Sequence, residues 1–360
     1  MLNRNITLSD NRKNYILSFS YHPTIIEEIK KLPSRKYNPK TKTWSIKAKE
    51  EFFDEIKNFA LKFGFRIDES VIKYINAIRQ YRKELLVKEI KTKEKLYEFQ
   101  KETVRFASQR DSVFITSQPG LGKTLSALAS VELKNAYPCL VICPAYLKLN
   151  WEREINKWLF NKNSLIISNE KKFDFEKDID IVIINYDILD VHKNNLKRIK
   201  FKSIVLDESH YLKNYKSIRT KVTSEIVKNI TFKIALTGTP VLNRPQELLS
   251  QLIILDKLDE MGGFWNFCFK FLEAQHTKYG WNLKGASNLK ELNELLRKSC
   301  MIRHIKDQVL KELPPKQKII IPIEISNREE YENAEHDFLI WLKEKVIENE
   351  NFLESIKDLS

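Results

Sequence analysis

The chain has 360 residues, 42% of them hydrophobic and 31% charged, with 11 prolines and 8 glycines. This is the balance of a globular protein of about two domains with long regular elements, and it excludes a disordered chain. No apolar run approaches the ~18 residues of a membrane span, and no apolar stretch follows the opening Met-Leu-Asn-Arg-Asn, so a soluble protein without a membrane partner is expected. It is expected in the cytoplasm, or at the nucleoid in a bacterial or phage setting. The formal charge is +14, and residues 1–96 carry 22 Lys/Arg against 12 Asp/Glu. Such a basic front suits either a polyanion partner or a lysine-rich solvated surface.

Residues 13–21 alternate apolar and polar, as a half-buried strand does. Pro23 opens a helix with Ile25, Ile26, Ile29 and Leu32 at helical spacing. Residues 35–46 form a hairpin that turns at Asn38-Pro39-Lys40-Thr41, and a second helix over 48–63 stops before Gly64. Phe65-Arg66-Ile67 supplies a last strand, so residues 1–68 make a small basic α+β domain. A charged helical connector follows over 69–95. From 96 to 320 short β-branched runs (113–116, 140–143, 181–184, 204–206, 234–236) alternate with helical patterns, which predicts a parallel α/β sheet. A helical extension occupies 321–360. Cys139 and Cys143 flank an apolar run and read as buried strand residues. None of the six histidines has zinc-ligand spacing to a cysteine, so no zinc is expected.

The first of those strands runs into Ser117-Gln118-Pro119-Gly120-Leu121-Gly122-Lys123-Thr124. A strand–loop–helix turn of this kind wraps a pyrophosphate in backbone N–H groups, with glycine at Gly120 and Gly122 where the chain approaches closely. Lys123 can then reach the β/γ-phosphates of ATP, and the Thr124 hydroxyl can hold Mg²⁺. Ser117 stands where this pattern usually begins with glycine. A later strand ends in Asp207-Glu208-Ser209-His210. There Asp207 can hold the Mg²⁺ through water and Glu208 can polarise the attacking water. The other use of such a pair is a helix N-terminus.

Several blocks in order then resemble the Swi/Snf branch of DNA-translocating, DEAD/DEAH-type ATPases. They are Leu140–Glu154 (LVICPAYLKLNWERE), Ile184–Leu189 (INYDIL), Leu236–Leu248 (LTGTPVLNRPQEL) and the segment from Met301 to Lys316 (MIRHIKDQVLKELPPK), beside the phosphate loop and the Asp-Glu pair. The resemblance implies an α/β fold, a RecA-like P-loop lobe, driven by ATP and acting on double-stranded DNA. It implies that Gln100, about twenty residues before the phosphate loop, reads the adenine edge. It also implies a DNA-backbone contact near Pro144, Lys148, Asn150 and Trp151, with packing as the other role open to Trp151. Thr237, Gly238 and Thr239 are implied to couple ATP state to DNA, with Thr239 itself a DNA contact. Arg244 belongs either to that coupling or to a surface pair with Glu247.

Tyr21-His22-Pro23 and Ser34–Trp44 (SRKYNPKTKTW) resemble the HARP domain of annealing helicases, which implies engagement of branched DNA. Arg35, Lys36, Lys40 and Lys42 can grip phosphates and Tyr37 can stack on an unpaired base, while Trp44 alternates with Ile46 into the core. Only 44 residues follow Lys316, and no Gln-x-x-Gly-Arg-x-x-Arg block occurs. The expectation is therefore part of a longer motor, or a half-motor that works with a separate protein carrying the second RecA-like lobe. A non-catalytic nucleotide- and DNA-binding module, and a strand-separating or restriction-type helicase, are the competing readings.

Overall fold

A computed structural model describes residues 4–168, 175, 178–238, 245–278, 280–312 and 326–348, the last seven by backbone alone. Thr239 and Arg244 lie outside the described residues.

The front module is built from β1 (Asn5–Leu8), β2 (Asn14–Ser18), α1 (Pro23–Ile29), β3 (Lys36–Asn38), β4 (Thr43–Lys47), α2 (Phe53–Phe63) and β5 (Arg66–Ile67). Its sheet runs β3-β4-β2-β1-β5, antiparallel except for the β1–β5 pair. Ile6, Tyr15, Leu17 and Ile46 bury one face of this sheet against Ile25 and Ile29 of α1 and Ile56 and Phe59 of α2. Gly64 ends α2 at φ +67°, a conformation in which glycine has no steric penalty. The hairpin falls at its predicted place, with Tyr37 opposite Trp44 and the Asn38 side chain accepting from the Lys40 N–H at 3.1 Å. Strand β1 was not anticipated. Only one of its four residues is buried, so its sequence carries no alternation to read.

Two helices lead into the lobe, α3 (Glu69–Val87), which opens on an Asp68 cap, and α4 (Glu98–Ser108). Seven parallel strands follow: β6 (Ser112–Ile115), β7 (Cys139–Cys143), β8 (Ser164–Ile166), β9 (Ile181–Asn185), β10 (Ser203–Leu206), β11 (Phe232–Leu236) and, last in the chain, β14 (Met301–Ile302). Their order is β14-β6-β11-β10-β7-β9-β8. The five predicted strands are present. Short β8 and β14 at the two edges were not foreseen.

Strands β6, β7, β9, β10 and β11 are buried along their whole length, as a sheet covered on both faces requires. The covering helices are α5 (Lys123–Lys134), α6 (Lys148–Trp158), α7 (Leu189–Arg198), α8 (Ile218–Val227), α9 (Pro245–Ile254), α10 (Phe264–Phe271) and α11 (Leu289–Ser299). A small hairpin, β12 (Gln275–Thr277) with β13 (Gly280–Asn282), follows α10, and α12 (Lys306–Val309) follows β14. A second unit, Glu312–Ser360, contains α13 (Arg328–Glu348).

The predicted connector is packed into the structure. Leu85 of α3 is buried with Leu96, Val104, Leu125 and Leu133 of the lobe, and Arg82 pairs with Glu50 and Glu51 of the front module at 2.8 and 3.1 Å. A charge network joins the same two parts directly. Lys233, in the middle of β11 with its side chain 3% exposed, reaches Asp256 at 2.8 Å. Asp256 also meets Lys47 of β4 at 3.3 Å, and Lys47 continues to Asp259 at 3.1 Å. Burial opposes ionisation of Asp256, but Lys233, Lys47 and Lys49 outweigh it and hold the carboxyl below its ordinary range. That contribution is complete above the unfolded carboxylate pKa of about 4 and is lost as pH falls through the lower folded value.

Replacing Asp256 with alanine leaves the Lys233 ammonium with the Ile254 carbonyl, at 3.1 Å, in place of a carboxylate. The expected cost is ~2 kcal/mol, read as a lower urea midpoint, with increased hydrogen exchange at the edge of β4. An unchanged midpoint would remove Asp256 from this role.

Candidate active site

The loop from Thr116 to Gly122 links β6 to α5 and is braced by the neighbouring strand β14 and its continuation. Thr116 N–H donates to the Ile302 carbonyl at 2.9 Å, and Gln118 N–H to that of His304 at 3.1 Å. The His304 N–H donates to Ser117 Oγ at 3.2 Å, and the Lys306 N–H to Gln118 Oε1 at 2.8 Å. Ser117 thus has a bond that glycine cannot make, which accounts for its departure from the usual pattern. Gly120 and Gly122 stand at φ +84° and +70°, left-handed conformations open to glycine without steric cost, and the Leu121 N–H between them donates to the Gln118 carbonyl at 3.3 Å. A Cβ on Gly122 would lie 2.5 Å from Gln100 Nε2, so a side chain there would displace the Gln100 amide as well as strain the backbone at φ +70°.

Lys123 and Thr124 open α5, half-buried. Among the described residues Lys123 has no ion pair. Burial lowers its pKa, Glu208 and Asp207 oppose that, and Lys306 adds to it. Lys306 itself touches the loop: a Cβ on Gly120 would lie 3.4 Å from its Nζ.

Two strands away, β10 ends at Asp207, which is 8% exposed. Burial raises its pKa, and two donors work against that shift. The Trp151 indole N–H donates to Oδ2 at 2.8 Å, and the Glu208 N–H to Oδ1 at 2.9 Å. Glu208 sits at φ +45°, a left-handed conformation that a non-glycine residue holds only when its surroundings impose it. The Tyr186 hydroxyl donates to the Asp207 carbonyl at 2.8 Å, and its ring stacks on Tyr211 at 5.4 Å. Ser209 donates to Gln251 Oε1 of α9 at 2.7 Å, tying the acidic loop to the helix in which the Leu236–Leu248 block ends.

The structure therefore brings Gly120, Gly122, Lys123, Thr124, Asp207 and Glu208 to one end of the sheet, the carboxyl ends of parallel strands, where open α/β sheets bind ligands. Thr237 and Gly238 join them at the end of β11. A Cβ on Gly238 would lie 3.2 Å from Pro119 and 3.7 Å from Lys123 Nζ. Gln100 is buried against the loop. Its Oε1 accepts from the Tyr97 N–H at 3.0 Å, and its Nε2 faces the Leu121 carbonyl at 3.4 Å. The remaining candidates lie apart from this cluster. Lys148 donates to the Ile167 carbonyl at 3.1 Å, while Asn150 is exposed. Arg35, Lys36, Tyr37 and Lys40 are exposed in the front module, with Arg35 donating to the Leu32 carbonyl and Tyr37 5.2 Å from the Trp44 ring.

Three site residues escaped the sequence reading. Trp151 was open between packing and contact. It is 1% exposed and serves as the hydrogen-bond partner of Asp207. Gln251 and Lys306 were assigned no role. The order of the blocks around them is a signal for Lys306 alone, because its block closes the lobe beside the phosphate loop.

The residues present fit a nucleoside polyphosphate with a hard divalent cation. Two positive-φ glycines shape the loop at a helix N-terminus, Lys123 stands beside it with no ion pair among the described residues, and the oxygens of Thr124 and Asp207 are ligands of the kind Mg²⁺ prefers. When bound, the cation would draw charge from the phosphate oxygens.

A family model described as "SNF2-related domain" matches residues 99–358, and one described as "HepA-related protein (HARP)" matches residues 15–52. A Caenorhabditis elegans protein, "SWI/SNF-related matrix-associated actin-dependent regulator of chromatin subfamily A-like protein 1 homolog", is 30% identical, over 84% of this chain and 45% of its own length. The human "DNA annealing helicase and endonuclease ZRANB3" is 32% identical, over 64% and 22%. Among solved structures, the "Sulfolobus solfataricus SWI2/SNF2 ATPase core in complex with dsDNA" aligns with a TM-score of 0.53 and 26% identity, covering 64% of this chain and 49% of that one. The chain thus spans less than half the length of these relatives. The loop, the acidic pair and the matched span agree: the chain belongs to the SNF2-related ATPase family and carries a HARP module in front of its RecA-like lobe.

Proposed function

We propose that the chain binds ATP with Mg²⁺ as the first motor lobe of a DNA-dependent ATPase that translocates on duplex or branched DNA and remodels or anneals it. The observation that carries this reading is Lys123, without an ion pair among the described residues, at a two-glycine loop across from Asp207, whose carboxylate accepts from Trp151 and from the Glu208 N–H. In this reading Lys123 meets the β/γ-phosphates, Thr124 and Asp207 hold the cation, and Glu208 orients water for in-line attack. Ser209 and Gln251 carry the state of the acidic loop into α9. A nucleotide-binding module without chemistry has no use for a buried carboxylate supplied with two donors, and this weighs against it.

Full turnover is proposed to need a second RecA-like lobe, in this chain's own continuation or in another protein, to supply a cation to the transferring phosphoryl group. DNA is the proposed partner because the sequence carries a net charge of +14 and because the solved relative named above holds double-stranded DNA. The exposed Lys36, Tyr37 and Lys40 are proposed contacts. Lys148 and Asn150 are proposed for the duplex backbone, Lys148 having first to leave the Ile167 carbonyl.

Lys123→Ala is expected to abolish binding of a labelled ATP analogue in an equilibrium titration. Wild-type affinity in that variant would refute the site. Slow ATP hydrolysis by these 360 residues should accelerate with DNA only when a second-lobe protein is added.

Trp151→Phe keeps the ring and removes the N–H. Turnover, assayed in the presence of the second lobe, should fall about ten-fold. Asp207 must be ionised to hold Mg²⁺, and losing a donor to its carboxylate raises its pKa further. The acidic limb of the Mg²⁺-dependent binding profile should therefore move to higher pH. A profile identical to wild type would leave Trp151 a packing residue.

Lys306→Gln should weaken ATP-analogue binding about ten-fold, by loss of one charge-assisted phosphate contact, with thermal stability unchanged.

A further inference from the structure

Helix α10 reads Phe264-Trp265-Asn266-Phe267-Cys268-Phe269-Lys270-Phe271, with five aromatic residues in eight. A helix that is apolar all round belongs in a core, yet only one stripe of this one is covered. Phe267, Cys268 and Phe271 are fully buried in the lobe, whereas Phe264, Trp265 and Phe269 are 40%, 47% and 52% exposed.

The hairpin β12–β13 extends the exposed stripe. Trp281 lies 4.8 Å from Trp265 and 5.7 Å from Phe269, ring centre to ring centre, and His276 stands edge-on to Trp281 across the strands. The result is a continuous surface of ring faces and edges. It contains no exposed Leu, Ile, Val or Met, the residues that fill most protein-docking grooves.

The charge around these rings is one-sided. Residues 264–290 hold four lysines and a single carboxylate. Lys270 is paired with Glu291, whereas Lys278, Lys284 and Lys290 are exposed around the hairpin. A cleft of about 990 Å³ between the lobe and the front module opens at the start of α10, at Gly263 and Asn266, and is lined by the cations Lys30, Lys31, Arg35 and Lys298. Of the four carboxylates that also line it, Glu51, Asp259 and Glu260 are each paired with a lysine or arginine, and Glu55 is exposed.

We propose that the outer face of α10 with the β12–β13 hairpin is a stacking platform for unpaired bases, and that the strand's phosphates run along Lys278 and Lys284 toward the basic residues at the mouth of the cleft. The assignment rests on DNA being the partner, as argued above, and adds which part of a branched substrate goes where. Aromatic faces stack on any base without reading its edge, and flanking lysines neutralise the backbone. Duplex DNA keeps its base faces covered and does not use such a surface. The platform therefore confers preference for substrates with a single-stranded arm.

The test uses the full chain, a labelled dT oligonucleotide of about 16 nucleotides and a blunt duplex, in anisotropy titrations at one salt concentration. Trp281→Ala and Trp265→Ala should each weaken dT binding about ten-fold and leave duplex affinity within about two-fold, while Trp281→Phe retains most of the affinity. Should an alanine variant fail to fold, as judged by circular dichroism, the Lys278→Glu/Lys284→Glu pair tests the same surface. It should weaken dT binding and flatten its salt dependence.

Wild-type dT affinity in folded Trp281→Ala overturns the proposal. So does a concentration-dependent dimer that the substitution dissociates while DNA binding is unchanged, since the face would then bury a second copy. Duplex binding without strand binding removes the platform alone. Absence of both removes the DNA reading and the platform with it.

Discussion

The active end of the lobe is organised around one constraint, the presence of a carboxylate almost removed from water at the tip of a central strand. Asp207 continues β10, whose four residues are all buried, and burial pushes its pKa up. An ionised carboxylate in that position requires donors, and the fold supplies them from two directions. The Trp151 indole comes from α6, beyond β7, and the Glu208 N–H from the chain's own left-handed turn. Several features of the site follow from this need. The tryptophan must be at the first turns of α6, Tyr186 must hold the Asp207 carbonyl, and Glu208 must accept a backbone conformation unfavourable to it.

The phosphate loop has the complementary problem of holding open a cavity lined with N–H groups and cations. It is braced from behind by the edge strand β14 and its continuation, through five hydrogen bonds between residues 116–118 and 302–306. The segment that closes the lobe in sequence therefore lies under the loop that opens it. Mutual repulsion between Lys123 and Lys306 is tolerable in such a place because the ligand carries the opposite charge.

The front module is joined to the lobe by charge as well as by apolar packing. Lys233 interrupts an otherwise apolar central strand, and the acidic turn around Asp256 receives lysines from both parts. Lys233 is the member held away from water, at 3% exposed, and Asp256 links it to Lys47 of the front module. The cleft between them and the aromatic stripe of α10 are positioned by the same turn.

What could be read directly was whatever depends on neighbours in sequence. The phosphate loop, the Asp207–Glu208 pair, the hairpin at 38–41 and the buried runs of five strands are local patterns, because backbone conformation and period-two burial are set within a few residues. Short β1, β8 and β14 escaped, since two to four residues paired at an edge leave no periodic trace. The role of Trp151 stayed open because its partner is 56 positions away. Lys233 resembles any strand lysine until Asp256 is brought to it by the turn after α9. What the residues carry on their own is the available chemistry: a phosphate loop, an acidic pair and a basic front module. Which groups lose water together is set by the folded chain, and that loss turns an indole, a lysine and a carboxylate into partners and leaves the rings of α10 on the surface.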